Sequence, residues 1–149
     1  AGLSEDTYTH LTYDLTMALA KPLIKLNPDM TLCYVSGLGT DSTENGRMMW
    51  ARVKGKTEND LLNLGFKQAY MFRPGFIEPT PGLKNTYKVY KFIKPVIPVL
   101  RKLFPKYVSS LEEIGMALIN IALNGSNKHI LEVVDIVSLA KDSARVGKA

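Results

Sequence analysis

One short run constrains this chain most: Thr31-Leu32-Cys33-Tyr34-Val35 is β-prone and apolar on both faces. A strand with one face in water alternates apolar and polar residues, so an uninterrupted run fits a strand in the middle of a parallel sheet. A parallel sheet demands crossovers, because its neighbouring strands cannot be joined by a tight turn. The flanking sequence supplies them. Ser4 followed by Glu5 and Asp6 predicts a helix start, with acidic groups near the positive end of the helix dipole. From there to Leu26 the residues Leu11, Leu15, Ala18, Leu19, Pro22 and Leu23 recur at helical spacing, until Asn27-Pro28-Asp29 stops the helix. After the run comes a polar, glycine-containing loop over residues 37–46. A second helix is then predicted over residues 48–64, with Gly65 placed to end it, and a second strand over residues 66–72. Helix, strand, loop, helix and strand in that order make half of a doubly wound α/β sheet.

Past Pro74 the character changes. Residues 73–87 hold several Pro and Gly and read as irregular. Residues 87–104 are apolar with interspersed lysines, and Pro95 and Pro98 are expected to break or kink them. Ser109 or Ser110, with Glu112 and Glu113 behind, predicts a capping box for a helix through Leu123, closed by Asn124-Gly125. A last short strand is predicted over residues 130–134, with Asp135 capping a final helix over residues 136–144. The domain division that follows is residues 1–79, the C-terminal half of a Rossmann-like sheet, and residues 80–149, a small, mostly helical region with a closing strand and helix. The chain opens on a helix that would ordinarily follow a strand, and no earlier βαβ unit precedes it, so a fragment of a longer protein is expected.

Composition narrows the function classes. With 149 residues and 46% hydrophobic content, the chain has material for one sizeable core. Cys33 is the only cysteine, which rules out an internal disulfide and a cysteine-based zinc site; among strand residues it reads as an inert buried thiol. His10 and His129 lie far apart, without metal-ligand spacing. No secretory leader is legible, and Lys and Pro interrupt every apolar segment before it reaches membrane-spanning length. A cytoplasmic protein without membrane contact is therefore expected. The net charge of +5 gathers between positions 84 and 106, where seven residues are Lys or Arg. No nucleic-acid recognition motif accompanies that excess, so it reads as a solvated face rather than a nucleic-acid surface.

Gly37-Leu38-Gly39-Thr40-Asp41-Ser42 superficially matches the dinucleotide fingerprint, but it fails the context that gives the fingerprint its meaning. The loop runs on to Gly46 before any helix, and the next strand ends in Met71-Phe72-Arg73 rather than in an acidic residue for a ribose. The ordered set Val35-Ser36-Gly37, Trp50-x-x-x-Lys54 and Phe72-Arg73-Pro74-Gly75 says more, because each element falls at a strand's C-terminal end or on the helix after it. That is the edge where open α/β sheets bind ligands. Asp41, Ser42 and Glu44 sit on a loop at the same edge, either as ordinary solvent-facing groups or as a source of polar chemistry.

This set resembles the short-chain dehydrogenase/reductase superfamily, in its extended and atypical branches related to NAD-dependent sugar-nucleotide epimerases and dehydratases. Lys54-Gly55-Lys56-Thr57-Glu58-Asn59 is similar to the Val-Lys-Gly-x-x-Glu continuation of small atypical members. The resemblance covers residues 8–80 well and the remainder loosely, and it corresponds to the C-terminal part of such a protein. It implies a partial Rossmann-type fold with a substrate-covering region after Pro79, in which Tyr87, Tyr90, Phe92 and Phe104 would line a lid. It also implies roles. Ser36 would orient a substrate carbonyl or hydroxyl, Lys54 would hydrogen-bond the nicotinamide ribose, and Pro74, Gly75 and Phe76 would lie beside the carboxamide. The cofactor would be NAD or NADP, held weakly or not at all by this chain alone, because the family's glycine-rich phosphate loop lies in an N-terminal half.

The departure from the family pattern is at the decisive place. Trp50 stands where the proton-transferring tyrosine belongs, and an indole offers one N–H donor and no useful titration. Tyr34 and Tyr70 fall on strands as packing residues. The resemblance thus implies an oxidoreductase- or epimerase-like protein acting on an unspecified small molecule. Two rivals stand beside it: a non-catalytic dinucleotide-binding sensor or scaffold of the same fold, and a peripheral interaction protein that uses the basic stretch. An exposed sheet edge is expected to favour self-association.

Overall fold

In a computed structural model of the chain, residues 2–78 and 97–141 are described. The chain is α/β and divides into two compact units, residues 1–72 and 73–149. In the first, α1 (Glu5–Thr9) runs through a π-helical segment (His10–Asp14) into α2 (Leu15–Leu26), followed by β1 (Thr31–Val35), α3 (Met49–Leu62) and β2 (Gln68–Arg73). In the second, β3 (Phe76–Glu78), α4 (Ile97–Leu103), β4 (Val108–Ser110), α5 (Leu111–Asn124), β5 (Ile130–Glu132) and α6 (Val133–Lys141) follow in order.

Ser4 caps α1 as its sequence predicts: the Thr7 backbone N–H donates to Ser4 Oγ at 3.2 Å. The helical stripe read from the sequence does not face inward, however. Leu11, Leu15 and Leu19 are exposed, whereas Met17 and Ala20 are buried. The π-helical turn at His10–Asp14 inserts a residue into the helical repeat and changes which downstream side chains share a face.

Strands β1 and β2 are parallel, in register from Thr31 opposite Gln68 to Val35 opposite Phe72, with α3 as the crossover. Continuous burial belongs to β2, where Ala69 to Arg73 are all buried. β1, expected in the middle of a sheet, is only half-buried, and Val35 is 45% exposed. β1 pairs with β2 and with no other strand on its second edge among the described residues. Its apolar character therefore reports one covered side, not two.

In the second unit, β3 and β4 form another parallel pair, from Phe76 opposite Val108 to Glu78 opposite Ser110. Ile97, Val108, Ile114, Ala117, Ile121, Leu131, Val133 and Ile136 are its buried apolar residues. Ser110, not Ser109, caps α5. Its Oγ accepts from the Glu113 N–H at 3.0 Å while the Glu113 carboxylate accepts from the Ser110 N–H at 2.7 Å. Pro98 lies in the first described turn of α4, and Pro95 lies outside the described residues. The final helix starts at Val133, earlier than its sequence suggests, and the Asp135 carboxylate reaches back to accept from the Glu132 N–H at 2.9 Å. Residues 79–96, which carry Lys84, Lys88, Lys91, Lys94, Pro95 and the lid aromatics Tyr87, Tyr90 and Phe92, lie outside the described residues, as does the end of the final helix beyond Lys141. Among the described residues no helix is long and apolar enough to cross a membrane.

Candidate functional site

The C-terminal end of β1 turns at Ser36, and the ordering of that turn rests on three bonds. The Ser36 backbone N–H donates to the Phe72 carbonyl at 2.8 Å, extending the β1–β2 pairing by one residue. Its hydroxyl lies 3.2 Å from the same carbonyl and also donates to Glu58 Oε1 on α3. Its own carbonyl accepts from the Lys54 ammonium. Ser36 is buried and Glu58 is fully buried.

Lys54 and Glu58 are one turn apart on one face of α3, which is why a helix packed over β1 presents both to the same strand end. Lys54 is half-buried. Desolvation pushes its ammonium below the ordinary lysine range, and the charge of Glu58 opposes that shift. The sequence expectation for Ser36, a hydroxyl turned to a substrate, is met by a hydroxyl already in use within the chain. Glu58 was visible in the sequence only as the last residue of a motif. The signal that would have given it a role is its spacing: a carboxylate four residues beyond Lys54 on a helix face that covers a strand.

Trp50 is half-buried at the start of α3, and its ring covers the loop after Ser36; a Cβ added to Gly39 would lie 3.5 Å from Trp50 Cη2. Gly39 also has φ +86°, a conformation that L-residues with a Cβ rarely adopt. Trp50 is thus a cover over the loop, one turn before Lys54. The loop's acidic groups serve the loop. Asp41 accepts from the Thr43 hydroxyl at 2.6 Å, the Thr43 N–H at 3.0 Å and the Gly46 N–H at 2.6 Å, and these bonds hold its carboxyl below the usual range. Glu44 accepts from Asn59 Nδ2 at 2.7 Å, tying the loop to α3.

Pro74, Gly75 and Phe76 belong to the second unit and are described there. Pro74 is buried. A Cβ on Gly75 would overlap the Tyr107 carbonyl, and the Phe76 N–H donates to that carbonyl at 2.7 Å. The preceding Arg73 guanidinium meets Glu132 at 3.3 Å. The backbone features of this turn are accordingly used to join β3 to the segment before β4.

Tyr70 is fully buried and Tyr34 half-buried, in keeping with packing roles; burial raises the Tyr34 phenol above its ordinary range. Cys33 is half-buried, and burial raises its thiol too, which makes it a poor nucleophile. No group of His, Cys, Asp and Glu among the described residues has the arrangement of a metal site. No protein-family model matches the chain, and no curated protein sequence matches it.

Proposed function

We propose that this chain belongs to a Rossmann-type α/β protein that binds NAD or NADP at the C-terminal ends of its strands and does not carry out tyrosine-based hydride transfer. The observation that carries the reading is the Lys54 ammonium held at the end of β1 by the Ser36 carbonyl. An ammonium has three N–H donors, and the bond to Ser36 uses one, so the remainder suit the hydroxyls of a ribose. The location is the one where open α/β sheets receive ligands. Among the described residues at this strand end, neither Trp50 nor Ser36 is placed to act as a base, and that favours binding over turnover. Trp50 does not titrate usefully, and the Ser36 hydroxyl is engaged by Glu58.

Trp50 is the only tryptophan, which makes the test direct. NADH and NADPH are titrated while energy transfer from Trp50 to the nicotinamide is followed, and NADPH consumption is measured against a panel of carbonyl substrates. Saturable transfer without consumption is the expected result, with Lys54→Ala weakening binding about tenfold, the loss of one charged hydrogen bond. Consumption would favour an oxidoreductase or epimerase instead. No saturable transfer with either dinucleotide would end both readings.

A further inference from the structure

We propose that Glu58 is the positioning residue of this strand end: its carboxylate fixes the Ser36 hydroxyl, so that the Ser36 carbonyl keeps the Lys54 ammonium turned to the end of β1, and it places a buried negative charge one turn from that ammonium. The ligand side of the proposal, a ribose hydroxyl or another electron-rich oxygen on Lys54, rests on the dinucleotide reading above; the Glu58–Ser36–Lys54 linkage does not.

The geometry carries it. Glu58 is fully buried in a helix that otherwise turns apolar and small residues inward, including Ala51, Val53 and Leu61. A carboxylate in that position costs stability through desolvation unless hydrogen bonds and a nearby cation compensate. Ser36 supplies a hydrogen bond, and Lys54 is the cation on the same helix face. Because Ser36 bonds Glu58 through its side chain and Lys54 through its backbone, one residue couples the two charges. The opposing influences on Lys54 agree with this arrangement: burial lowers its proton affinity and Glu58 restores part of it. Tyr34 on β1, whose phenol burial raises, also feels the charge of Glu58. A neutral phenol on that side leaves Glu58 as the negative charge that Lys54 meets.

The test uses Glu58→Gln, which keeps the side-chain size and a hydrogen-bond acceptor but removes the charge. The pH profile of Lys54 acylation, read by mass spectrometry on the intact fold, is compared between wild type and variant. The expected result is a profile displaced to lower pH, with Lys54 reacting several-fold faster near neutrality, and NADPH binding weakened several-fold. Superimposable Lys54 profiles in two folded proteins would overturn the proposal. A displaced profile with no dinucleotide binding in either protein would keep Glu58 in its role and remove the dinucleotide reading. Should Glu58→Gln fail to fold, the double variant Lys54→Met/Glu58→Gln decides. Recovery of folding assigns the loss to a stranded ammonium, and failure to recover overturns the proposal.

Discussion

The backbone carbonyl of Asp41 occupies the space where a side chain on Gly55 would begin; a Cβ there would overlap it. The loop after β1 therefore lies directly on the middle of α3, between Lys54 and Lys56. A glycine inside a helix ordinarily costs about 1 kcal/mol relative to alanine, and here the close approach of the loop requires it.

Gly55→Ala is accordingly expected to destabilise the protein despite alanine's better helix propensity. Overpacking against a backbone carbonyl costs roughly 1–3 kcal/mol, because the main chain must move. For a chain of this size that corresponds to a Tm lower by about 3–9 °C. Amide exchange over residues 41–46 should quicken more than in α2. A higher Tm would show that the loop does not rest on the helix.

A second tie joins the first helix to α3. Tyr13, in the π-helical turn, donates to Asp60 Oδ2 at 2.6 Å, and Lys56 Nζ lies 3.1 Å from the same oxygen and 4.8 Å from the centre of the Tyr13 ring. The Tyr13 bond chiefly lowers the Asp60 carboxyl and raises the Tyr13 phenol. A lowered carboxylate contributes stability above its unfolded pKa and loses it as pH falls through the folded value. A raised phenol contributes below its unfolded pKa and loses it as pH rises through the folded one. The pair should support a plateau between about pH 4 and pH 10. Asp60 is about one-third exposed. The expected loss in Tyr13→Phe is therefore only about 1 kcal/mol in urea unfolding at pH 7, after screening is allowed for. The difference between variant and wild type should shrink as pH falls through the lowered range of the Asp60 carboxyl. A difference independent of pH would assign the effect to packing.

How much of the fold is legible in the sequence depends on how local the deciding physics is. Ser4, Pro28 and the Ser110–Glu113 pair act within a turn of themselves, so the ends of the helices were legible. The apolar run at 31–35 reports a strand but not how many neighbours it has, so the expected mid-sheet position of β1 differs from its half-buried one. Leu11, Leu15 and Leu19 share helical spacing yet are exposed, because spacing marks a face without saying what covers it. At the candidate site, the sequence places Ser36 and Lys54 at one sheet edge, and the structure joins them through a backbone carbonyl. Glu58 was passed over because a buried carboxylate on a helix looks, as a letter, like any surface glutamate. Only its three-dimensional partners distinguish it.

Restoring a tyrosine at position 50 is expected not to restore turnover. Trp50→Tyr would place a phenol one turn before Lys54, but the Ser36 hydroxyl would still be committed to Glu58, and the Lys54 ammonium to the Ser36 carbonyl. Proton transfer needs donor and acceptor within hydrogen-bond reach of the substrate. The measurement is NADPH consumption with a panel of reactive aldehydes. A rate more than about tenfold above the wild-type background, the effect of about 1.4 kcal/mol on a barrier, would show that the strand end rearranges to admit substrate.

The two serines before α5 should behave oppositely although they are adjacent. Ser110 Oγ accepts from the Glu113 N–H, and the returning Glu113 carboxylate also meets Arg101. Ser110→Ala removes one of these bonds and leaves an N–H at a helix start without its cap, an expected loss of about 1 kcal/mol. Ser109 is fully buried, and its Oγ has no hydrogen-bond partner among the described residues. A buried hydroxyl with no partner costs about 1–3 kcal/mol of desolvation, so removing it should be neutral or stabilising. Against that gain stands the small volume that alanine leaves unfilled on β4. Urea unfolding of Ser109→Ala, Ser110→Ala and the double variant distinguishes the two. The expected order is Ser109→Ala at least as stable as wild type, Ser110→Ala least stable, and the double variant between them. If Ser109→Ala instead loses as much as Ser110→Ala, the hydroxyl at 109 has a partner in solution and the cap is shared by both residues.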